Sequence, residues 1–515
     1  MNAPADIVGE VIRGYTFDGP TLDLGALVVD GAADPRARIR IPLGMLNRHG
    51  LVAGATGTGK TKTLQVMAEQ IAAAGVPVFL ADIKGDLSGM AEPAEPGSAA
   101  SARAAEVGQT WTPTGFPVEF YALGGTGTGV PLRATMSSFG PTLLAKVLGL
   151  NETQESSLGL IFHFADRNGL ALLDLKDLRA VIQYLVGDEG SEALKNIGGL
   201  SRQTAGVILR ALVNFEDQGA DAFFGEPEFD TRDLLRVTPD GRGVVSVVEL
   251  AALQTQPALF STFLMWLLAD LFQELPEVGD LDRPKLVFFF DEAHLLFAGA
   301  SKAFLQAITQ TVRLIRSKGV GVFFVTQTPK DVPPDVLAQL GSRVQHAVRA
   351  FTPQDAKSLK ATVSTFPNSA YDLEEVLTRL GIGEAVVTVL SERGVPTPVA
   401  WTRLRAPESR MGPADPQKIA EMVRASPLEA KYGEAVDRDS AYERLTAKLA
   451  PPPEQAPEAP APAAPERGGF DERAEPSMLE NVLESKLLRS FARSAASSLG
   501  REISRSIFGT GKRRR

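Results

Sequence analysis

The sequence predicts an α/β protein built on an open parallel sheet, because strongly apolar segments alternate with segments of helical periodicity. Residues 285–290 and 320–325 are almost continuously apolar, which is typical of central parallel strands covered on both faces. Residues 76–81 predict a further core strand, and 303–317 have the spacing of a helix. This alternation favours parallel strands joined by right-handed crossovers.

A glycine-rich loop adds a chemical function to this predicted fold. Residues 54–61 read Gly-Ala-Thr-Gly-Thr-Gly-Lys-Thr and fit G-x-x-x-x-G-K-[ST], the phosphate-binding loop of P-loop NTPases. An apolar run at 51–53 precedes the loop, and 62–74 follows with helical spacing. Backbone N–H groups and the helix dipole at such a junction favour a bound anion. The predicted nucleotide-binding residues are Gly54, Ala55, Thr56, Gly57, Thr58, Gly59, Lys60, Thr61 and Lys62.

Chemical roles are predicted for two residues at the end of the glycine-rich loop and for three residues that follow the two apolar strands. Lys60 is expected to reach the β and γ phosphates, and the Thr61 hydroxyl to ligate Mg²⁺. Asp291, directly after 285–290, is the predicted second metal-site residue, and Glu292 is the predicted general base. Gln327, after the 320–325 strand, is expected to sense the γ phosphate. The alternatives are an ordinary strand terminus for the acidic pair and a strand-capping role for Gln327.

Composition restricts the class of protein. The chain has 515 residues, enough for two or more domains, and a net charge of −9, which argues against a general nucleic-acid-coating protein. It has no cysteine, which excludes disulfides and thiolate catalysis. The four histidines are scattered, so no zinc site is expected. We find no signal peptide, and the apolar helix at 259–272 is interpreted as a core helix, so a cytoplasmic location is predicted.

The pattern along the chain divides it into seven segments. They are an N-terminal β segment (1–45), the first part of a P-loop ATPase core (46–138), a helical insertion (139–240), the second part of the core (241–405), a helical extension (406–450), a Pro-rich linker (451–470) and a basic amphipathic C-terminal helix (471–515). The linker is expected to be disordered, since seven of residues 451–465 are proline.

The last segment combines an apolar stripe with positive charge. Residues 485–515 carry nine Lys or Arg and one acidic residue. Three interpretations stay open: a helix that docks onto the assembly, a nucleic-acid-binding arm, and an interfacial membrane helix. The stripe consists of Leu483, Leu487, Leu488, Phe491, Ala495, Leu499, Ile503 and Ile507.

The glycine-rich loop, the acidic pair after one apolar strand and the glutamine after the next together indicate an ATPase of RecA-like fold that hydrolyses its nucleotide. The sequence also resembles the HerA-like branch of the HerA/FtsK ATPases, and within it the bacterial YjgR-type family. The resemblance covers about residues 8 to 405 and is carried by five stretches of residues: 46–53 before the phosphate loop, 82–89 with the pattern D-x-K-G-D, 151–155, 325–329 and 331–333.

The resemblance implies a hexameric ring that couples ATP hydrolysis to movement along DNA, with an arginine supplied by the neighbouring subunit. Arg313, Arg316, Arg343 and Arg349 are candidates for this arginine, and Arg316 and Arg343 are favoured. Each is equally compatible with a solvated arginine or a structural ion pair. Only about fifty residues precede the phosphate loop, so the large N-terminal barrel of HerA itself is at most reduced here.

Further roles are predicted for residues on loops. Lys84, Lys302 and Lys330 are candidates to face DNA in a ring pore, with ordinary solvated lysines as the alternative. Asp82 is predicted either to help hold the metal or lytic water, together with Asp86, or to cap a strand.

The predicted activity is Mg²⁺-dependent ATP hydrolysis by Lys60, Glu292 and Gln327 with a trans arginine. The predicted partners are other copies of the chain and DNA. The rival predictions are a non-motor ATP switch or scaffold, and a secretion- or conjugation-type ATPase that acts on protein.

Overall fold

The structure is a computed structural model that describes residues 7–125, 127–250, 257–297, 300 and 302–449. Within these residues the strands form a twelve-stranded sheet in the order β2-β1-β12-β11-β10-β3-β9-β8-β4-β7-β5-β6. The strands are β1 Thr21–Val29, β2 Ala32–Pro42, β3 Gly50–Ala53, β4 Val78–Asp82, β5 Val118–Leu123, β6 Val130–Leu132, β7 Val245–Glu249, β8 Leu286–Phe290, β9 Val320–Thr326, β10 Ser342–Gln345, β11 Glu384–Thr388 and β12 Ala400–Leu404.

Helices cover both faces of the sheet. They are α1 Ile7–Gly14, α2 Lys60–Ala73, α3 Ala99–Glu106, α4 Met136–Val147, α5 Glu152–Arg167, α6 Leu175–Val186, α7 Arg202–Glu216, α8 Pro257–Glu274, α9 His294–Phe297, α10 Lys302–Ile315, α11 Pro334–Leu337, α12 Pro353–Val363, α13 Leu373–Arg379, α14 Pro416–Ala425, α15 Pro427–Tyr432 and α16 Ala441–Leu449.

The predicted parallel sheet is confirmed in its central part and extended at one edge. Neighbouring strands from β10 to β6 in the sheet order are parallel. The strands β11, β12, β1 and β2 continue the same sheet in antiparallel fashion. The sheet is therefore mixed, and the N-terminal strands are part of the main sheet.

Two cores form because successive side chains of a strand point to opposite faces. Leu51 and Ala53 of β3 lie in one core with the helices α4 to α8, whereas Val52 lies in the other core with α2. The predicted apolar helix is α8, and its Trp266 is 2% exposed, which confirms a core helix. No described helix combines the length and apolarity that a bilayer crossing requires.

The N-terminal segment differs from the strands expected for 1–45 in one respect. It begins with the helix α1, whose buried residues are Ile7 and Val11. A helix of two turns gives so short a periodic signal that strand-like alternation downstream dominates the pattern. The Pro-rich linker and the C-terminal helix predicted for 451–515 lie outside the described residues.

Candidate functional site

The predicted site residues follow strands that end at one edge of the sheet. Ala53, the last residue of β3, pairs with Thr326, the last residue of β9. Phe290, the last residue of β8, pairs with Phe324 of β9 and with Ala81 of β4. The glycine loop, Gln327 and Asp291 thus directly follow adjacent parallel strands, and Asp82 is the last residue of the next strand, so all lie at the carboxyl ends where α/β sheets place their ligands.

The glycine loop, residues 54–59, depends on backbone conformations and space that glycine provides. Gly59 has φ 109° and is the N-cap of α2. Gly54 has φ 153°, and a Cβ at this position would lie 2.4 Å from Cβ of His346. Both features bring the backbone close to its surroundings and leave the first N–H groups of α2 at the loop. The loop therefore has the backbone arrangement that an anion site requires, and anion binding stays a prediction.

Lys60 lies across this loop. Its Nζ donates hydrogen bonds to the carbonyl oxygen of Gly54 at 2.6 Å and of Ala55 at 3.1 Å. Burial and the nearby Lys84 ammonium lower the pKa of Lys60, whereas the carboxylates of Glu292 and Asp291 oppose this change. The ammonium thus already lies in the field of the acidic pair, although the residues are far apart in sequence.

The acidic pair is buried and incompletely bonded. The Asp291 side chain is 1% exposed; its Oδ1 accepts a hydrogen bond from the Glu292 backbone N–H at 2.9 Å, and Oδ2 has no hydrogen-bond partner among the described residues. Burial raises the pKa of Asp291, and the Lys84 ammonium opposes that increase. A buried carboxylate oxygen without a hydrogen bond is costly unless a cation or ligand completes it.

Glu292 adopts a conformation that non-glycine residues seldom have, with φ 47°. Its Oε1 lies 2.5 Å from Nζ of Lys84, and its Oε2 lies 3.3 Å from Nδ1 of His294. Lys84 Nζ is also 3.8 Å from Asp291 Oδ2. Backbone conformations of this kind cluster at functional sites, where surrounding structure maintains them.

Lys84 therefore lies beside the acidic pair, and the role at a ring pore that the sequence analysis offers for it stays a prediction. Asp82 positions Lys84 there. Its Oδ1 accepts hydrogen bonds from the backbone N–H groups of Lys84 at 3.1 Å and Gly85 at 2.9 Å, and its Oδ2 from that of Leu87 at 2.8 Å. Burial raises the pKa of Asp82 to about 6. Of the two roles predicted for Asp82, the geometry favours the structural one, because both oxygens hold the turn that carries Lys84.

The donor set fits Mg²⁺ bound together with phosphate. Thr61 lies in the first turn of α2, and the Asp291 Oδ2 atom described above is a hard oxygen donor without a hydrogen bond. No cluster of three or more His, Cys, Asp or Glu side chains in the described part of the chain is arranged to hold a metal by itself. Mg²⁺ at nucleotide sites is bound by one or two protein ligands plus phosphates and water, so this donor set suffices.

On the other side of the glycine loop, sequence reasoning missed a buried histidine. His346 follows β10, is fully buried, and its Nε2 lies 2.8 Å from the Thr63 hydroxyl of α2. Burial and the Lys60 charge lower the pKa of His346 to about 3. Gly383, before β11, donates its N–H to the Thr58 carbonyl oxygen at 3.0 Å. The available sequence signal for His346 was only its position after a short core strand.

The remaining predicted residues lie at different places. Gln327 is exposed directly after β9, at the site edge. Arg316 precedes β9 and therefore lies at the opposite edge of the sheet. Arg343 lies inside β10 between β3 and β11, and burial lowers its pKa, so it is less suited than Arg316 to reach a neighbouring subunit.

The two other lysines predicted for a pore are exposed. Lys302 begins α10, and Lys330 Nζ donates a hydrogen bond to the Ser358 hydroxyl at 2.6 Å. Neither lies among the contacts described for the glycine loop. Solvent-accessible lysines of this kind remain compatible with both interpretations given for them.

Comparison with known proteins gives a family match. The family model described as "Helicase HerA-like C-terminal" matches residues 28–515. A probable helicase of Methanocaldococcus jannaschii is 33% identical over 115 residues, which span 22% of this chain and 21% of that protein. The chain thus matches about a fifth of that relative's length.

Solved structures resemble the fold. The plasmid coupling protein TrwB in complex with ADP and Mg²⁺ has a TM-score of 0.50 and 16% sequence identity, covering 79% of this chain and 93% of that one. VirB4 of Thermoanaerobacter pseudethanolicus has a TM-score of 0.47 and 14% identity, covering 76% of this chain and 97% of that one. At these identities the TrwB likeness supports the RecA-like fold alone.

Proposed function

The chain belongs to the helicase HerA-like C-terminal family, and we propose that it is an Mg²⁺-dependent ATPase that works as a homo-oligomeric, hexameric ring motor on DNA. One observation carries the ATPase part of the proposal. Lys60, Lys84 and the adjacent residues Asp291 and Glu292, from three separate places in the sequence, form one charged cluster beside the N-terminus of α2. A helix N-terminus with two ammonium groups and two carboxylates fits a metal–triphosphate complex.

Each residue has a role in binding. The N–H groups of the glycine loop and Lys60 hold the phosphates, and Thr61 and Asp291 hold Mg²⁺. Bound Mg²⁺ neutralises charge that develops on the phosphate oxygens. TrwB, which shares the fold, was solved with ADP and Mg²⁺, and this accords with a nucleotide at the same edge of the sheet.

Hydrolysis needs a base, and Glu292 has the position for it. Its carboxylate accepts a proton from water as the water oxygen attacks the γ phosphorus and the bond to the β-phosphate oxygen breaks, which leaves ADP and phosphate. Gln327, exposed at the end of β9, orients the water or the γ phosphate.

Lys84 links ATP binding to the activation of Glu292 as a base. Its ammonium contacts the Glu292 carboxylate at 2.5 Å, so the base is neutralised by an ion pair in this structure. The γ phosphate carries more negative charge than Glu292 and competes for the same ammonium. We propose that Lys84 transfers from Glu292 to the γ phosphate when ATP binds, which frees the carboxylate for proton transfer.

The ring and DNA parts of the proposal rest on the family resemblance. A ring places the site of one copy against the surface of the next, so that an arginine from the neighbour completes it. Arg316 is our favoured candidate, because it lies away from its own chain's site. Arg343 is the second candidate.

The test compares ATP turnover by the intact chain with and without Mg²⁺, duplex DNA and single-stranded DNA, with the mass of the assembly measured in parallel. We expect Mg²⁺-dependent turnover that DNA stimulates and that salt suppresses steeply. Lys60→Ala should abolish turnover, whereas the matched change Lys357→Ala of an exposed lysine should keep turnover. Turnover that is indifferent to DNA would favour an ATP-driven switch, and stimulation by polypeptide would favour a protein-secretion motor.

A further inference from the structure

An exposed apolar side chain lies directly beside the glycine loop. Ile382 is 76% exposed and occupies the centre of the short connection Gly381–Gly383 between α13 and β11, which we call the Gly-Ile-Gly loop. The Gly383 N–H of this loop donates to the Thr58 carbonyl oxygen at 3.0 Å. A Cβ on Gly59 would lie only 3.2 Å from the Gly383 nitrogen. The two loops are therefore in direct contact.

The Gly-Ile-Gly loop is held firmly, so the exposure of Ile382 does not come from a loose segment. Arg103 donates from Nη1 to the Gly383 carbonyl oxygen at 3.1 Å and from Nη2 to the Ile382 carbonyl oxygen at 3.3 Å. The Gly381 N–H donates to Glu384 Oε2 at 3.0 Å. Gly383 has φ 73°, and a Cβ there would lie 2.7 Å from Arg103 Nη1, so glycine is required at this position.

Glu384 extends this support to the neighbouring strand. Its Oε2 also accepts a hydrogen bond from Trp401 Nε1 at 3.0 Å, and its Oε1 accepts one from Arg403 Nη2 at 2.8 Å. Trp401 and Arg403 both belong to β12, which pairs with β11. The loop thus presents Ile382 from a prearranged framework, and little conformational entropy is lost when a ligand covers the side chain.

The sheet order determines which end of a nucleotide meets this loop. Asp291 and Glu292 follow β8, which is separated from β3 by β9, whereas β10 and β11 lie on the other side of β3. A triphosphate whose γ end faces the carboxylates must leave the glycine loop toward β10 and β11. Because β11 is antiparallel to β10, its first residues lie at the site edge, and the Gly-Ile-Gly loop precedes them.

We infer that Ile382 forms the apolar platform on which the purine base of the bound nucleotide rests. This inference depends on the nucleotide-binding function proposed above and assigns the base-binding part of the same site. An aliphatic side chain contacts the face of a base and reads none of its edge groups, so Ile382 contributes equally to binding of adenine and guanine nucleotides.

The experiment separates base binding from phosphate binding. The affinities of the intact chain for Mg²⁺–ATP, Mg²⁺–GTP and Mg²⁺–inorganic triphosphate are measured by calorimetry for the unmodified protein and for Ile382→Ser, Ile382→Trp and the control Phe351→Ser. Phe351 is also an exposed apolar residue, 84% exposed at the start of α12. Equal thermal unfolding midpoints establish that the variants fold.

We expect Ile382→Ser to weaken binding of both nucleoside triphosphates about five- to tenfold and to leave inorganic triphosphate binding unchanged. Ile382→Trp should retain or strengthen nucleotide binding, since an aromatic ring also stacks on a base, and Phe351→Ser should have no effect. Unchanged nucleotide binding in Ile382→Ser, an equal loss for inorganic triphosphate, or a loss caused by Phe351→Ser would each overturn the inference. If the unmodified protein binds none of the three ligands, the proposed nucleotide-binding function itself fails.

Discussion

The two sides of the glycine loop differ in how their carboxylate groups are bonded. Toward β8, Asp291 keeps a carboxylate oxygen without a hydrogen bond among the described residues, and Glu292 has a left-handed backbone conformation. Toward β11, Glu384 accepts hydrogen bonds at both carboxylate oxygens, and the Gly-Ile-Gly loop is fixed by several partners. The β8 side thus holds a carboxylate pair with an oxygen left without a hydrogen bond, whereas the β11 side holds its loop through a network of hydrogen bonds and the Glu384–Arg403 ion pair.

This difference indicates that the two sides of the site have different roles. Buried carboxylate oxygens without a hydrogen bond and strained backbone are destabilising and persist where a ligand later completes them. A satisfied framework, in contrast, holds its shape before the ligand arrives. We therefore expect changes on the β8 side to affect chemistry and the γ phosphate, and changes on the β11 side to affect nucleoside binding or stability.

The largest effect is expected from Glu292→Gln. Glutamine keeps the size and polarity of the side chain but lacks the basic carboxylate, so hydrolysis should fall about 10²- to 10⁴-fold while ATP binding persists. Single-turnover hydrolysis and calorimetric binding measure the two quantities separately. The control is Glu374→Gln, a change of an exposed glutamate on α13. A turnover rate equal to that of the control would remove Glu292 from the role of base.

A smaller effect is expected from Lys84→Met, which removes the ammonium and keeps most of the apolar stem. If Lys84 binds the γ phosphate, ATP affinity should fall about ten- to a hundredfold, whereas ADP affinity should stay the same. Calorimetry with both nucleotides measures the ratio, and Lys330→Met is the matched control at an exposed lysine. Equal losses for ATP and ADP would show that Lys84 supports the site without contacting the γ phosphate.

The smallest effect concerns how the free energy of unfolding depends on pH through His346. The pKa of His346 is about 3 in the folded protein, below its ordinary value of 6.5. The unfolded chain therefore takes up a proton at this residue below pH 6.5 while the folded chain does not, and this contribution lowers stability as pH falls from 6.5 toward 3.

Replacing His346 by Gln removes this titrating group. Between pH 7.5 and 5.5, the unmodified protein should lose about 1 kcal/mol of unfolding free energy relative to His346→Gln. Urea denaturation of both proteins at the two pH values gives the difference. If the two proteins respond identically to pH, His346 takes up protons in the folded state as readily as in the unfolded state, and its pKa is not lowered.

Local patterns predicted the elements that dominate the site. The glycine loop lies between β3 and α2, and the apolar runs became β8 and β9, because continuous apolar segments and glycine punctuation are local signals. The predicted apolar helix is the buried α8. The helix α1 was not predicted, since its periodic signal is short.

The roles of Lys84 and His346 required the tertiary structure. In the sequence, Lys84 is a lysine on a loop and His346 is one of four scattered histidines. The pairing of β4 with β8 brings the turn after Asp82 beside Asp291, and the pairing of β10 with β3 places His346 under the glycine loop. Neither pairing follows from a pattern along the chain.

The sequence by itself determined that this chain has a glycine loop with the phosphate-binding pattern, a carboxylate pair after an apolar strand and an α/β fold with parallel strands. Those properties depend on neighbouring residues, and neighbouring residues are visible in the sequence. The tertiary structure decided which lysine contacts the carboxylates, which histidine supports the loop, and where an exposed isoleucine meets it. These contacts result from the strand order, because hydrogen bonding between strands brings together residues separated by hundreds of positions.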